Sequence, residues 1–242
     1  MIILKSVFLI NHIEKKLLCA VKSYKYDTDN ELANREINNY KQLKHPFVPR
    51  YYGYYIRDFQ KNIVIEFIDG TTLNNINKFS FSFEQKIHMI YDIFFIFQYL
   101  HYNEFIYRDL KPFNVMITNN QIILIDFDRM IKNNSNVLSG DSFTNDLIGI
   151  WIAPEIAELG EIPSFKSDIY SIGIMIYYIL MEKYPIIGSN KNKNIDLKQK
   201  YPKIYDVFLK CINEKVEKRP TLNDLCNNFL SALRDEIEVL FN

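Results

Sequence analysis

The stretch from Tyr107 to Asp126 holds the densest set of side chains able to do chemistry. It runs Tyr107-Arg108-Asp109-Leu110-Lys111-Pro112-Phe113-Asn114, followed by two short apolar runs and Asp126. The runs, Val115–Ile117 and Ile122–Ile125, flank Thr118-Asn119-Asn120-Gln121, and this pattern predicts a β-hairpin. Pro112 has no N–H and keeps Lys111 out of the helical region, so the segment before the hairpin is a loop. Asp109, Lys111 and Asn114 therefore precede the hairpin, and Asp126 follows it. Two carboxylates, an ammonium and an amide on one rigid hairpin suit Mg²⁺ and phosphate, because hard cations take oxygen ligands.

Elements able to carry this set lie on both sides of it. Val7–Ile10 and Leu17–Val21 read as β-strands joined by the polar turn Asn11–Lys16, and the second strand closes on Lys22. A helical pattern spans Glu31–Lys44, with Glu36, Tyr40 and Leu43 on one face. A carboxylate on an inward face needs a cation, and Lys22 is the candidate partner of Glu36. His45-Pro46 ends that helix. Tyr51–Ile56 and Ile63–Phe67 form an antiparallel pair about a turn at Arg57–Asn62, and Gly70 marks a connector after Glu66-Phe67-Ile68-Asp69.

Further along, Ile87, Ile90, Tyr91, Phe94, Phe97 and Leu100 predict a long helix over Phe83–Asn103 whose aromatic stripe is core. His88 and His101 read as packed or surface histidines. Residues 127 to 152 show no strong periodicity and contain Ser135, Ser139, Ser142 and Thr144, and so long a loop in a compact domain is usually functional. Ser167 or Asp168 caps a strongly apolar helix running through Met181, Gly188–Asn194 is a polar surface loop, and Leu222–Phe241 is a closing helix.

Composition bounds the class. At 242 residues, 48% hydrophobic and 15% aromatic, the chain has ample material for a packed core, which excludes global disorder. A formal net charge of zero gives no reason to expect nucleic acid or an anionic membrane as partner. Cys19, Cys211 and Cys226 are odd in number and lack CxxC spacing, which points to a reducing, cytoplasmic setting without a zinc site. The apolar run Ile169–Met181 falls short of the roughly 20 residues a bilayer span needs. Lys5 interrupts the apolar start Met1–Ile13 and no small-residue cleavage site follows, so it reads as folded chain.

In this order, Lys22, Glu36, Asp109, Lys111, Asn114, Asp126, Glu155 of Ala153-Pro154-Glu155, Asp168 and Arg219 of Glu217-Lys218-Arg219-Pro220-Thr221 resemble the eukaryotic protein kinase domain of serine/threonine type. The resemblance runs from Val7 to Thr221. It implies an α+β, two-lobed fold: an antiparallel sheet lobe with one main helix over 1–67, a hinge at 68–72 and a mostly helical lobe over 73–242. It also implies ATP and Mg²⁺ as cofactors and a protein substrate whose Ser/Thr hydroxyl receives the γ-phosphoryl group. Asp109 would be the catalytic base and Lys111 would steady the phosphoryl group. Asn114 and Asp126 would hold Mg²⁺. Lys22, held by Glu36, would touch the nucleotide phosphates. Val7, Ala20, Ile65 and Met116, with backbone groups of Glu66 and Ile68, would bind the rest of the nucleotide. Asp168 would hold the catalytic-loop backbone, and Arg219 would pair with Glu155. An upstream kinase could phosphorylate the long loop, with Arg108 pairing the new phosphate.

Several positions depart from the family pattern. Tyr107 stands for the usual His, Asp128 for the Gly after Asp126-Phe127, and Ile148 for a common Thr. None of the seven glycines precedes Gly53; with Val7 as the valine of the phosphate loop, Ile2 and Lys5 replace two of its glycines. That predicts a weakened grip on the nucleotide and leaves two alternatives open. One is a catalytically impaired binding module. The other is a small-molecule kinase of the aminoglycoside or choline type, suggested by Asp126-Phe127-Asp128.

Overall fold

The computed structural model describes residues 6–12, 17–24, 30–78, 80–119, 121–133, 149–157, 160–187 and 194–241. Ile2, Lys5, Ser135, Ser139, Ser142, Thr144 and Ile148, and the Gly188–Asn194 loop up to residue 193, lie outside the described residues. The chain forms two compact units: Met1–Leu73 with Phe113–Met130, and Asn74–Pro112 with Ile131–Asn242.

The first unit is built on a four-stranded antiparallel sheet in the order β1-β2-β4-β3. Its strands are β1 (Ser6–His12), β2 (Leu17–Tyr24), β3 (Tyr51–Arg57) and β4 (Gln60–Glu66). The β3–β4 turn is shorter than the sequence suggests. Arg57 pairs with Gln60 across Asp58-Phe59, both at positive φ (50° and 58°). Two consecutive left-handed residues give the turn twist that matches two-residue hairpins, so the strands extend to the turn itself.

Helix α1 (Asn30–Gln42) packs on β3 and β4. It stops two residues earlier than expected, yet Leu43 remains buried just past its end. A second sheet, in the order β5-β7-β8, joins β5 (Thr71–Thr72) to the hairpin of β7 (Val115–Thr118) and β8 (Gln121–Leu124). The hairpin hangs on the α1–β3 connection through Leu124 N–H, which donates to Phe47 O at 2.8 Å. Gly70 lies so close to β7 that a Cβ there would sit 2.3 Å from Ile117 O, so the connector tolerates only glycine.

The second unit is mostly helical. Its helices are α2 (Phe83–Tyr102), α3 (Pro154–Ala157), α4 (Phe165–Met181), α5 (Ile195–Lys200), α6 (Pro202–Cys211) and α7 (Leu222–Phe241); β6 (Phe105–Ile106) pairs with β9 (Ile131–Lys132). A capping box starts α2: Ser82 Oγ accepts from Gln85 N–H at 3.2 Å and Ser82 N–H donates to Gln85 Oε1 at 2.8 Å.

Helix α4 begins two residues before the expected cap. Ser164 is the N-cap, and its N–H donates to Ser167 Oγ at 3.1 Å. Neither Ser167 nor Asp168 is the cap, because both lie inside the first turn and Asp168 is committed elsewhere. Every residue of α4 from Ser167 to Leu180 is buried, as so apolar a helix requires. At Gly173 a Cβ would meet Cys211 Cβ at 2.4 Å, so α4 and α6 approach to the limit that glycine allows.

Burial pushes the Cys211 thiol up to about 12. It therefore stays protonated and unreactive at neutral pH. A thiol reagent at pH 8 is expected to label Cys211 only after denaturant unfolds the helical unit; labelling of the native protein at the rate of a free cysteine would contradict this packing. Among the described residues no helix is long and apolar enough to cross a membrane.

Candidate active site

Alternation along β2 puts Ala20, Lys22 and Tyr24 on one face of the strand. Lys22 is buried and its Nζ bridges two carboxylates, Glu36 Oε1 at 2.7 Å and Asp126 Oδ1 at 2.8 Å. Burial alone would lower the lysine pKa, but Asp126, Glu36 and Asp128 hold it well above its ordinary value, so Lys22 stays an ammonium. Glu36 is fully buried on α1. Besides Lys22 it accepts the Phe127 N–H at 3.1 Å and the Tyr24 hydroxyl on its second oxygen. Burial and the Glu36 charge raise the Tyr24 pKa, so its hydroxyl remains a donor.

Asn114 precedes β7 and is buried, and its carbonyl accepts the Ile125 N–H at 2.9 Å. That bond fastens the backbone of Asn114 to the residue before Asp126, so both oxygen donors expected for Mg²⁺ belong to the sheet unit, with Lys22 and Glu36. A sparse oxygen set of one amide and one carboxylate fits Mg²⁺, which keeps several waters and takes its remaining ligands from phosphate.

Asp126 adopts φ 67°, a left-handed conformation that costs a non-glycine residue on the order of 1 kcal/mol or more. Surrounding bonds hold it there. Asp128 is buried but does not share the positive φ, so the described backbone does not call on the freedom that glycine would bring to that position.

The nucleotide-binding residues expected from sequence are also in the sheet unit. Val7 is opposite Lys22 in register, and Ala20 is opposite Ile65. Met116 pairs with Thr72 and Ile123, and Ile68 is half-buried in the connector after β4. The Glu66 N–H is spent on Arg50 O at 2.8 Å, which leaves its carbonyl as the backbone group it can offer.

Asp109 and Lys111 belong to the helical unit. Lys111 Nζ donates to both Asp109 oxygens, at 2.9 and 2.8 Å. The loop that carries them is fixed from α4: Asp168 accepts the backbone N–H groups of Tyr107 (3.0 Å) and Arg108 (2.9 Å). Those two bonds support a second left-handed residue, Arg108 at φ 71°. Tyr107 is fully buried edge-on to Phe97, so an aromatic at that position serves packing.

Arg219, wholly buried, forks onto Glu155 with Nη1 and Nη2 both at 2.7 Å. It also donates from Nε to Asn213 O at 2.8 Å, and its guanidinium lies over the Tyr170 ring.

Tyr24, Asn39 and His101 also contribute. Tyr24 could have been found from its place two residues after Lys22, and Asn39 from its place three after Glu36. His101 was read as an ordinary histidine, but its Nε2 lies 3.0 Å from Asp168 Oδ2. No signal in the sequence pointed to that contact.

The protein kinase domain profile matches residues 5–236. The chain is 29% identical to Serine/threonine-protein kinase D of Synechocystis sp., over 72% of this chain and 35% of that protein. It is likewise 29% identical to the Aurora kinase of Debaryomyces hansenii (80% and 50%) and to Mitogen-activated protein kinase kinase kinase 3 of Arabidopsis thaliana (74% and 30%). It thus spans between about a third and a half of these relatives. A match over nearly the whole length, on a fold with a small antiparallel-sheet lobe and a helical lobe, means that the chain belongs to the protein kinase domain family.

Proposed function

We propose that the chain is an ATP-dependent protein kinase that transfers the γ-phosphoryl group to a serine or threonine hydroxyl of a protein, in the cytoplasm. The observation that most supports this reading is the Lys22 ammonium held between Glu36 and Asp126. A buried cation tied to a helix carboxylate is pre-set to meet phosphate oxygens, and the acid beside it is one of two donors suited to a divalent ion.

In this reading Asp109 accepts the proton of the substrate hydroxyl, and Lys111, two residues on, steadies the phosphoryl oxygens and favours serine or threonine. Asn114 and Asp126 hold Mg²⁺, which when bound neutralises charge on the phosphates. Val7, Ala20, Ile65 and Met116 pack the base, while the carbonyl of Glu66 and the backbone of Ile68 orient it. Lys22, held by Glu36, would contact the nucleotide phosphates.

This reading predicts that ATP with Mg²⁺ raises the unfolding free energy by about 2.7 kcal/mol at 100 times its Kd. Lys22→Ala should abolish most of that gain, measured as the difference between nucleotide-bound and nucleotide-free melting. No stabilisation at millimolar ATP and Mg²⁺ would contradict the reading. A second reading, a binding module without transfer, is favoured by one observation: with Val7 as the valine of the phosphate loop, Ile2 and Lys5 stand at two of its glycine positions.

A further inference from the structure

Besides the ion pair, α1 grips the Asp126 segment at a second point. Asn39 lies three residues after Glu36, hence on the same helix face, and is only 6% exposed. Its Nδ2 donates to Phe127 O at 2.7 Å and to Met130 O at 2.9 Å. Both partners are carbonyls, which only accept, so the amide nitrogen must face them and both of its hydrogens are used. Met130 N–H donates to Phe127 O at 3.3 Å, so Asn39 bridges the two ends of one tight turn. Phe127 is held on every side by α1: its N–H by Glu36, its C=O by Asn39, and its ring edge-on against Tyr40 at 5.2 Å. Asp126, at φ 67°, is the residue immediately before this clamp.

We infer that Asn39 is a positioning residue for the Mg²⁺-binding carboxylate, fixing the direction of Asp126 by tying the backbone of 127–130 to α1. The inference rests on the kinase reading and extends it to how that site is held. Where a glycine at 128 would allow the segment to swing, this chain has Asp128, and the Asn39 amide holds the turn in one setting.

The test uses Asn39→Leu, which keeps bulk and removes both donors, and Asn39→Asp, which keeps shape but turns acceptors toward the two carbonyls. In Asn39→Leu the Mg²⁺ concentration for half-maximal ATP binding should rise about tenfold, as expected for losing two neutral hydrogen bonds, while ATP affinity without Mg²⁺ stays near wild type. Asn39→Asp should lose more. A purely structural role would lower the melting temperature of both variants and leave the Mg²⁺ dependence unmoved; that outcome overturns the inference. Should Asn39→Leu fail to fold, Asn39→Ser, with one donor, should show an intermediate shift, and an unchanged Mg²⁺ dependence there overturns it equally. Amide exchange of the 127–130 segment separates this inference from the reading beneath it. If wild type binds no ATP, the kinase reading fails, but exchange in that segment must still quicken about tenfold in Asn39→Leu relative to the rest of the sheet unit for the clamp to stand.

Discussion

Asp109→Asn is expected to lower phosphoryl transfer by about 10²- to 10⁴-fold, the usual worth of a positioned general base. The amide keeps the size of the carboxylate and loses its charge and proton affinity. It also loses half of the fork that now holds Lys111, whose Nζ touches both Asp109 oxygens. Asp109 is not among the groups proposed to hold ATP and Mg²⁺, so nucleotide-induced stabilisation should persist. The pair of measurements is steady-state transfer and ATP-dependent melting on the same preparation. A variant that keeps its rate would remove Asp109 from the role of base. A variant that loses nucleotide binding together with rate would mean that the substitution acts through the fold.

Arg219→Ala should cause the largest loss of stability, about 3–5 kcal/mol, because it leaves the Glu155 carboxylate buried without its cation. Glu155 is 5% exposed and takes both guanidinium nitrogens, so water cannot replace the lost partner without opening the helical unit. The same substitution removes the donor to Asn213 O and the cation over Tyr170. Against a typical stability of about 5–15 kcal/mol, the change should be plain in urea unfolding as a lower midpoint at unchanged slope. Arg219→Met combined with Glu155→Leu should recover much of the loss, since an apolar pair of similar volume removes the buried charge altogether. A loss below about 1 kcal/mol in the single variant would show the pair to be solvated like a surface bridge.

How much of this could be read beforehand depended on what each residue needs locally. A strand closing on Lys22, the inward helix face of Glu36 and the proline-marked loop before the Asn114–Asp126 hairpin are local patterns in the sequence, whereas the roles of Asp109, Asn114, Asp126 and Asp168 came only from the family resemblance. The β7–β8 hairpin followed from Val115–Ile117 and Ile122–Ile125, though the strands extend into Thr118 and Gln121, which pair with each other. Boundaries were less legible where tertiary contacts set them. Helix α4 starts at Phe165 because Ser164 caps it, leaving Asp168 to take the Tyr107 and Arg108 amides. The β3–β4 turn closes over Asp58-Phe59 because the chain accepts a phenylalanine at positive φ, which propensity disfavours. Asn39 and Tyr24 are marked only by their spacing from Glu36 and Lys22, because asparagine in a helix and tyrosine in a strand carry no further signal of the backbone carbonyl or carboxylate they serve.

The most direct test of the central claim is to incubate the protein with Mg²⁺ and ATP carrying a labelled γ-phosphate, in the presence of a generic basic protein, and to locate the label by mass spectrometry. The account predicts Mg²⁺-dependent appearance of phosphoserine or phosphothreonine, lost in Asp109→Asn. Binding of ATP with no labelled hydroxyl on any protein would contradict it.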